Sequence, residues 1–173
     1  MDFEEEFSTN ETEVGSDELL SDDSIRLPDS ANPLVRLHAV KAWLTRRQKE
    51  TTLEMSKAAL DWQTLQQTAT QDSGRMRRRE QQQLTEQLQR AEHSYQMLQE
   101  KLNAYEQAEQ LLEDCLAHTT SSERTLVEYY LLLEEMVGQE VDNPDSVAAT
   151  PHQQAFTDVQ HRVEQVGAPQ EAE

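Results

Sequence analysis

The sequence predicts an all-α fold: an elongated antiparallel helical hairpin or coiled coil, with a disordered acidic N-terminal tail and a short C-terminal amphipathic helix. Three observations lead to this prediction. The 173 residues include only 4 glycines and 5 prolines, and the abundant glutamine, glutamate and leucine favour helix over strand. Apolar residues recur at steps of three and four along the central part of the chain. Hydrophobic residues make up only 35% of the chain, which suits a thin helical seam better than a compact core.

The chain is strongly acidic, with 34 acidic against 15 basic residues and a formal net charge of −19. A field of this sign repels nucleic-acid phosphates and anionic membrane surfaces, so it argues against nucleic acid as a partner. No run of 18 apolar residues is present, so we expect no membrane span. The N-terminus lacks the basic and apolar regions of a signal peptide, and Cys115 is the single cysteine. These features predict an intracellular protein of the cytoplasm (cytoskeleton or centrosome) or the nucleus.

Residues 1–31 contain eleven acidic residues and one basic residue, Arg26, with no sustained apolar period. This composition is typical of a disordered tail. Ser8, Ser16 and Ser21 lie close to acidic residues and would suit an acid-directed kinase. A plain solubilising tail is the alternative interpretation.

The first predicted helix begins at Asn32-Pro33, because asparagine is a good N-cap and proline is favoured at the first helical position. Its helical pattern runs to about Thr70, and a turn is expected near 71–74, at Asp72-Ser73-Gly74. Gln48 and Thr51 weaken the middle of the apolar seam. The seam positions are Leu37, Val40, Leu44, Thr51, Met55, Ala58, Trp62, Leu65 and Ala69.

The strongest pattern in the sequence is a heptad repeat that follows the turn. Its ten positions alternate strictly between steps of four and three, and nine of them are apolar or aromatic. A repeat of this kind predicts a left-handed coiled coil. Tyr95, Tyr105 and Glu109 weaken the seam, so they favour a heterotypic partner or antiparallel pairing over a homodimeric zipper. The ten positions are Leu84, Leu88, Ala91, Tyr95, Leu98, Leu102, Tyr105, Glu109, Leu112 and Leu116.

The same register continues through a polar patch at 118–122 to Val137. We therefore expect one continuous or nearly continuous helix from about Arg75 to Val137, with a weak point near Thr119. The opposing observation is a capping box at Thr120-Ser121-Ser122-Glu123, which is typical of a helix start. A break there would fold 124–137 back as a third helix.

Apolar residues cover almost every face of the segment 126–137, so this segment must be buried on several sides. Either the chain's own C-terminal helix or a partner would cover it. Gly138 is expected to end the helix, with a linker over 138–150. Thr150-Pro151 with Gln153 predicts a second capped start, for a short amphipathic helix over 151–167. Residues 168–173 form a tail.

No pattern in the sequence points to catalysis or to a bound cofactor. The five histidines lack zinc-ligand spacing, and carboxylates adjoin Cys115, which opposes thiolate formation. Phosphate-binding loops and nucleophile elbows are missing. We expect no catalytic residue, no metal site, no cofactor and no small-molecule substrate. A single basic cluster follows the turn and comprises Arg75, Arg77, Arg78 and Arg79. It is interpreted either as a solvated turn or as a contact for a protein or an import receptor, and a nucleic-acid contact is the least favoured alternative.

These features predict a non-enzymatic structural or adaptor subunit, a scaffold within an intracellular multiprotein assembly, by analogy cytoskeletal, centrosomal or kinetochore. Its partners would be other helical proteins, in a hetero-oligomer rather than a homodimer. One alternative is a regulator whose acidic, phosphorylatable tail binds basic chromatin or transcription proteins. Another is a subunit of a membrane-trafficking complex. The predicted partner-binding residues are Leu84, Leu88, Tyr95, Leu98, Leu102, Tyr105, Leu112, Leu116, Leu126, Tyr129, Tyr130, Leu132, Leu133, Met136 and Val137.

Overall fold

A computed structural model describes residues 32–72, 74–139 and 148–166, and over these residues it confirms the all-α fold. The described chain forms four helices and no strand. The predicted tails 1–31 and 168–173 lie outside the described residues, as does most of the predicted linker. The helices are α1 (Pro33–Asp72), α2 (Arg78–His118), α3 (Ser122–Gln139) and α4 (Pro151–Gln165).

Helices α1 and α2 form an antiparallel hairpin. Near the start of α1, Lys41 Nζ lies 2.8 Å from Glu113 Oε1, close to the end of α2. Further along α1, the ring of Trp62 stacks on that of Tyr95, with ring centroids 6.4 Å apart. Later residues of α1 therefore contact earlier residues of α2, so the two helices are antiparallel.

Local hydrogen bonds explain where the two long helices begin. Asn32 Oδ1 accepts a hydrogen bond from the backbone N–H of Leu34 at 3.0 Å, as expected for an N-cap ahead of Pro33. Helix α2 begins at Arg78 rather than near Arg75. The Glu80 carboxylate accepts a hydrogen bond from the Arg77 backbone N–H at 2.8 Å, which holds Arg77 just before the first helical residue.

The expectation of one continuous or nearly continuous helix from about Arg75 to Val137 is wrong, and the alternative, a break that folds 124–137 back as a third helix, is confirmed. Helix α2 ends at His118 and α3 begins at Ser122. Hydroxyl groups stabilise the break: Thr119 Oγ1 donates to the carbonyl of Cys115 at 2.6 Å and contacts Thr125 Oγ1. Such side chains offer backbone groups an alternative to the helical ladder. The break also folds α3 back along α2, so that its apolar surface is buried.

The open end of the hairpin, away from the turn, is covered by α3 and α4. Together with the first half of α1 and the last third of α2, they form a four-helix unit that we call the head. All the buried apolar residues of the described chain lie in the head and form one cluster. They are Leu37, Val40, Trp43, Leu44, Ala104, Tyr105, Ala108, Leu112, Cys115, Leu126, Tyr129, Leu133, Ala155, Phe156, Val159, Val163 and Val166.

The predicted end of α3 is wrong, whereas the predicted start of α4 is confirmed. Gly138 does not end α3, because the helix continues through it to Gln139. The capping box before α4 is present as predicted. Thr150 Oγ1 accepts from the Gln153 N–H at 3.2 Å, and Gln153 Oε1 accepts from the Thr150 N–H at 3.0 Å. This reciprocal pair fixes the first turn of α4.

Two leucines of α3 provide a matched test of the head. Leu133 is 0% exposed and Leu131 is 50% exposed. We expect Leu133→Ala to lower the free energy of unfolding by about 2–5 kcal/mol, because it leaves a cavity in the core. Leu131→Ala should change it by no more than about 0.5 kcal/mol. Urea unfolding followed by circular dichroism measures both, and equal losses would contradict the described packing of α3.

Candidate protein-interaction surfaces

The hairpin projects beyond the head as a two-helix stalk, formed by residues 52–72 of α1 and 78–102 of α2. No stalk residue with a described side chain is buried. The apolar seam residues are only half-buried, because two helices alone cannot enclose a seam. Five of the predicted partner-binding residues are in this position: Leu84, Leu88, Tyr95, Leu98 and Leu102.

The stalk also carries leucines outside its seam. Leu53 and Leu60 are 58% and 63% exposed, and they lie seven residues apart on the same face of α1. At 3.6 residues per turn, this face points roughly opposite to the seam residues Met55 and Trp62, which face α2. The stalk therefore presents apolar side chains on two sides.

A polar layer lies inside the head, close to its junction with the stalk. Gln48 Nε2 donates to Glu109 Oε2 at 2.7 Å, and Thr45 Oγ1 donates to Glu109 Oε1 at 3.4 Å. Each of the two seams had a polar interruption in the sequence, and the structure brings these interruptions together. A shift of the hairpin by one heptad would replace Gln48 by Lys41 or Met55 opposite Glu109 and would lose both hydrogen bonds, so this layer favours the observed register.

A second apolar stripe on α2 was missed by the sequence analysis. It consists of Ala104, Ala108, Leu111 and Cys115, each one residue before a heptad position. The three smaller residues of this stripe are buried in the head core, and Leu111 packs against it. The corresponding earlier positions are mostly polar, among them Gln83, Gln87, Arg90, Ser94 and Lys101. This change from polar to small apolar side chains marks where the stalk ends and the head begins.

Much of the apolar surface predicted over 126–137 is internal to the chain. Leu126, Tyr129 and Leu133 are buried in the head, so they cannot contact a partner while the head stays folded. The remainder pack partly against the same core: Tyr130, Leu132, Met136 and Val137. Val127 and Leu131, which were not predicted as partner-binding residues, are the exposed large apolar residues of α3, at 37% and 50%.

The remaining predicted seam residues also belong to the head. Tyr105 and Leu112 are buried, and Leu116 packs partly against the core. The Tyr105 ring meets Trp43 edge-on, with centroids 6.1 Å apart, and its hydroxyl donates to Asp158 Oδ2 of α4 at 3.1 Å. Tyr105 therefore ties α2 to both α1 and α4.

The basic cluster occupies the tip of the stalk. Arg75, Arg77, Arg78 and Arg79 are all exposed. Among the described residues, no carboxylate forms an ion pair with any of these four guanidinium groups. The tip therefore carries a local positive charge at the end of the chain's fold that is farthest from the head.

Neither a membrane-crossing helix nor a cluster of three metal-ligating side chains is found within the described ranges. Cys115 is buried, and burial followed by the charges of Glu128 and Asp114 raises the pKa of its thiol. The thiol form is thus favoured in the folded chain. Comparison of the chain with protein-family models, curated proteins and solved structures finds no match. Function is therefore inferred from the residues and their contacts.

Two buried tyrosines make the stability of the head depend on pH. Burial is the main cause that raises the pKa of Tyr129 and of Tyr105 far above the ordinary value of 10.0. Above pH 10 the unfolded chain loses phenolic protons that the folded chain retains. The free energy of unfolding is then unaffected by these groups well below pH 10 and falls as the pH rises above it.

Tyr129→Phe tests this linkage. The Tyr129 hydroxyl donates to the Ala108 carbonyl at 2.9 Å, so its loss should cost about 1 kcal/mol at neutral pH. The variant should also lose less stability than the parent between about pH 9 and pH 11. Chemical unfolding at a series of pH values measures both effects. An identical alkaline decline in the variant would contradict a role for Tyr129.

Proposed function

We propose that this chain is a non-enzymatic adaptor or structural subunit of a multiprotein assembly in the cytoplasm or nucleus. The stalk is the surface on which helical partner proteins bind, and the head is the unit that holds the hairpin together. The observation that carries this proposal is the contrast between a head with a closed apolar core and a stalk in which none of the described side chains is buried.

The stalk supports the proposal because its seam side chains are only half-buried and its outer leucines are largely exposed. A partner helix packed along the seam would complete the burial of the seam side chains, and a second partner helix on the opposite side would bury the outer leucines, Leu53 and Leu60. Each large apolar side chain that becomes fully buried contributes roughly 1.5–3 kcal/mol. The stalk extends about 35 Å beyond the head, which is long enough for several such layers.

The stalk favours a partner that differs from this chain. Tyr95 occupies a seam position where leucine would pack more tightly, and its ring stacks on Trp62. Bulky aromatic layers of this kind suit an antiparallel or mixed pairing rather than a symmetric zipper. A hetero-oligomer with another helical protein is therefore the preferred assembly.

Substitutions on the outer face of the stalk test the proposal without disturbing the fold. We expect Leu53→Glu combined with Leu60→Glu to weaken partner binding by about 3 kcal/mol, or roughly a hundredfold. Both side chains are more than half exposed, so the helix content and the unfolding midpoint should stay near those of the parent. Affinity purification of the tagged full-length chain from its native cells, with quantified stoichiometry, measures partner recovery.

The matched control is Val127→Glu combined with Leu131→Glu, which adds the same charges to exposed apolar positions of the head. This variant should retain the partner at an equal molar ratio. Loss of the partner in the control alone would contradict the proposal and show that the partner binds α3 rather than the stalk. Recovery of the bait alone, in the parent as well as the variants, would contradict the proposal and favour the tail-driven regulator.

A further inference from the structure

A small cleft lies between α1 and α4 in the head. Its volume is about 140 Å³, and two of its six lining residues are arginines. We call it the arginine cleft. Its lining residues are Trp43, Arg47, Asp158, His161, Arg162 and Gln165.

Arg162 is the unusual residue of the arginine cleft. It is only 7% exposed, yet no described carboxylate lies within ion-pair distance of its guanidinium group. Its Nη1 donates to Gln165 Oε1 at 3.3 Å, whereas its buried Nε has no hydrogen-bond partner. A buried guanidinium without a counter-ion is costly, and proteins normally pair such a charge.

Arg47 adds a second cation from the facing helix. Its guanidinium carbon lies 5.3 Å from the centre of the Trp43 ring, and its Nε is likewise buried without a partner. Glu50, on the rim, accepts from Arg47 Nη1 at 3.3 Å, and both side chains are a little under half exposed. This rim pair is screened by solvent and compensates the charge only weakly.

The carboxylates near the arginine cleft are already engaged. Asp158 Oδ2 accepts the hydroxyl of Tyr105, and Glu164 lies 3.3 Å from His161 Nδ1. The lining residues thus carry two guanidinium groups against one carboxylate. The chemistry that would complete the site is an additional carboxylate, which guanidinium groups bind through charge-assisted hydrogen bonds.

We propose that the arginine cleft binds a carboxylate side chain and that its occupant is the acidic segment 17–23 of the same chain. This segment carries four acids within seven residues. Arg47 lies about 22 Å along α1 from Asn32. Asp23, the acid of this segment nearest to α1, lies nine residues before Asn32, and nine extended residues span roughly 30 Å. Attachment to the same chain also raises the effective concentration of the segment at the cleft.

Paramagnetic relaxation tests the proposal in the full-length chain. A nitroxide label is attached at residue 24, in a chain carrying Ser24→Cys and Cys115→Ala, and amide signals are compared before and after the label is reduced. We expect residues 43–47 and 158–165 to lose most of their signal intensity. The loss should disappear in 1 M salt, where the screening length falls to about 3 Å. It should also disappear in a variant carrying Arg47→Gln and Arg162→Gln.

Neutralising the segment provides a second variant that leaves the described fold untouched. This variant carries Asp17→Asn, Glu18→Gln, Asp22→Asn and Asp23→Asn. It should abolish the signal loss, because no carboxylate of the segment remains to bind the guanidinium groups. A matched control removes the same number of charges elsewhere in the tail and should leave the signal loss unchanged; it carries Asp2→Asn, Glu4→Gln, Glu5→Gln and Glu6→Gln.

Three outcomes would overturn the proposal. Signal loss centred on the stalk tip at 75–79 would place the acidic segment on the other basic cluster. A complete absence of signal loss would show that the segment does not dock. Signal loss in a mixture of isotope-labelled chains and separate nitroxide-labelled chains would assign the occupant to a second copy.

Discussion

The fold depends on the need to bury α3, whose apolar residues cover almost all of its circumference. A helix of this kind is unstable unless other elements surround it. The chain meets this requirement by breaking after His118 and folding α3 back along α2, with α4 packed against both. The buried Tyr129 illustrates the result, because its ring lies in the core and its hydroxyl reaches a carbonyl of α2.

Closure of the head leaves the rest of the hairpin uncovered. Helices α1 and α2 are 40 and 41 residues long, whereas α3 and α4 have 18 and 15. The shorter helices can cover only part of the longer ones, so the stalk follows from this difference in length. The polar layer of Gln48 and Glu109 lies close to the boundary and holds the register of both parts. The same division separates the closed core from the stalk surface that we propose as the partner-binding site.

Charge is distributed unevenly over this framework. The chain as a whole is acidic, yet four arginines lie at the stalk tip and two line the arginine cleft. The tip is exposed and solvated, so its arginines incur little desolvation cost. The guanidinium of Arg162 is instead removed from water without a described counter-ion. This difference in solvation is why the cleft, rather than the tip, is the stronger candidate for binding a carboxylate.

The sequence alone determined the features that rest on local chemistry: the helical class, the Asn32 cap, the turn after α1 and the capping box at Thr150. Each depends on residues only a few positions apart. Only the tertiary structure decided that the heptad repeat breaks at Thr119, that Gln48 meets Glu109, and that Arg47 and Arg162 share a cleft. The periodicity of the sequence shows which face of a helix is apolar, but it does not show which other helix packs against that face. The unbroken register through 118–122 was misleading because burying α3 on several sides outweighs continuing a two-helix seam.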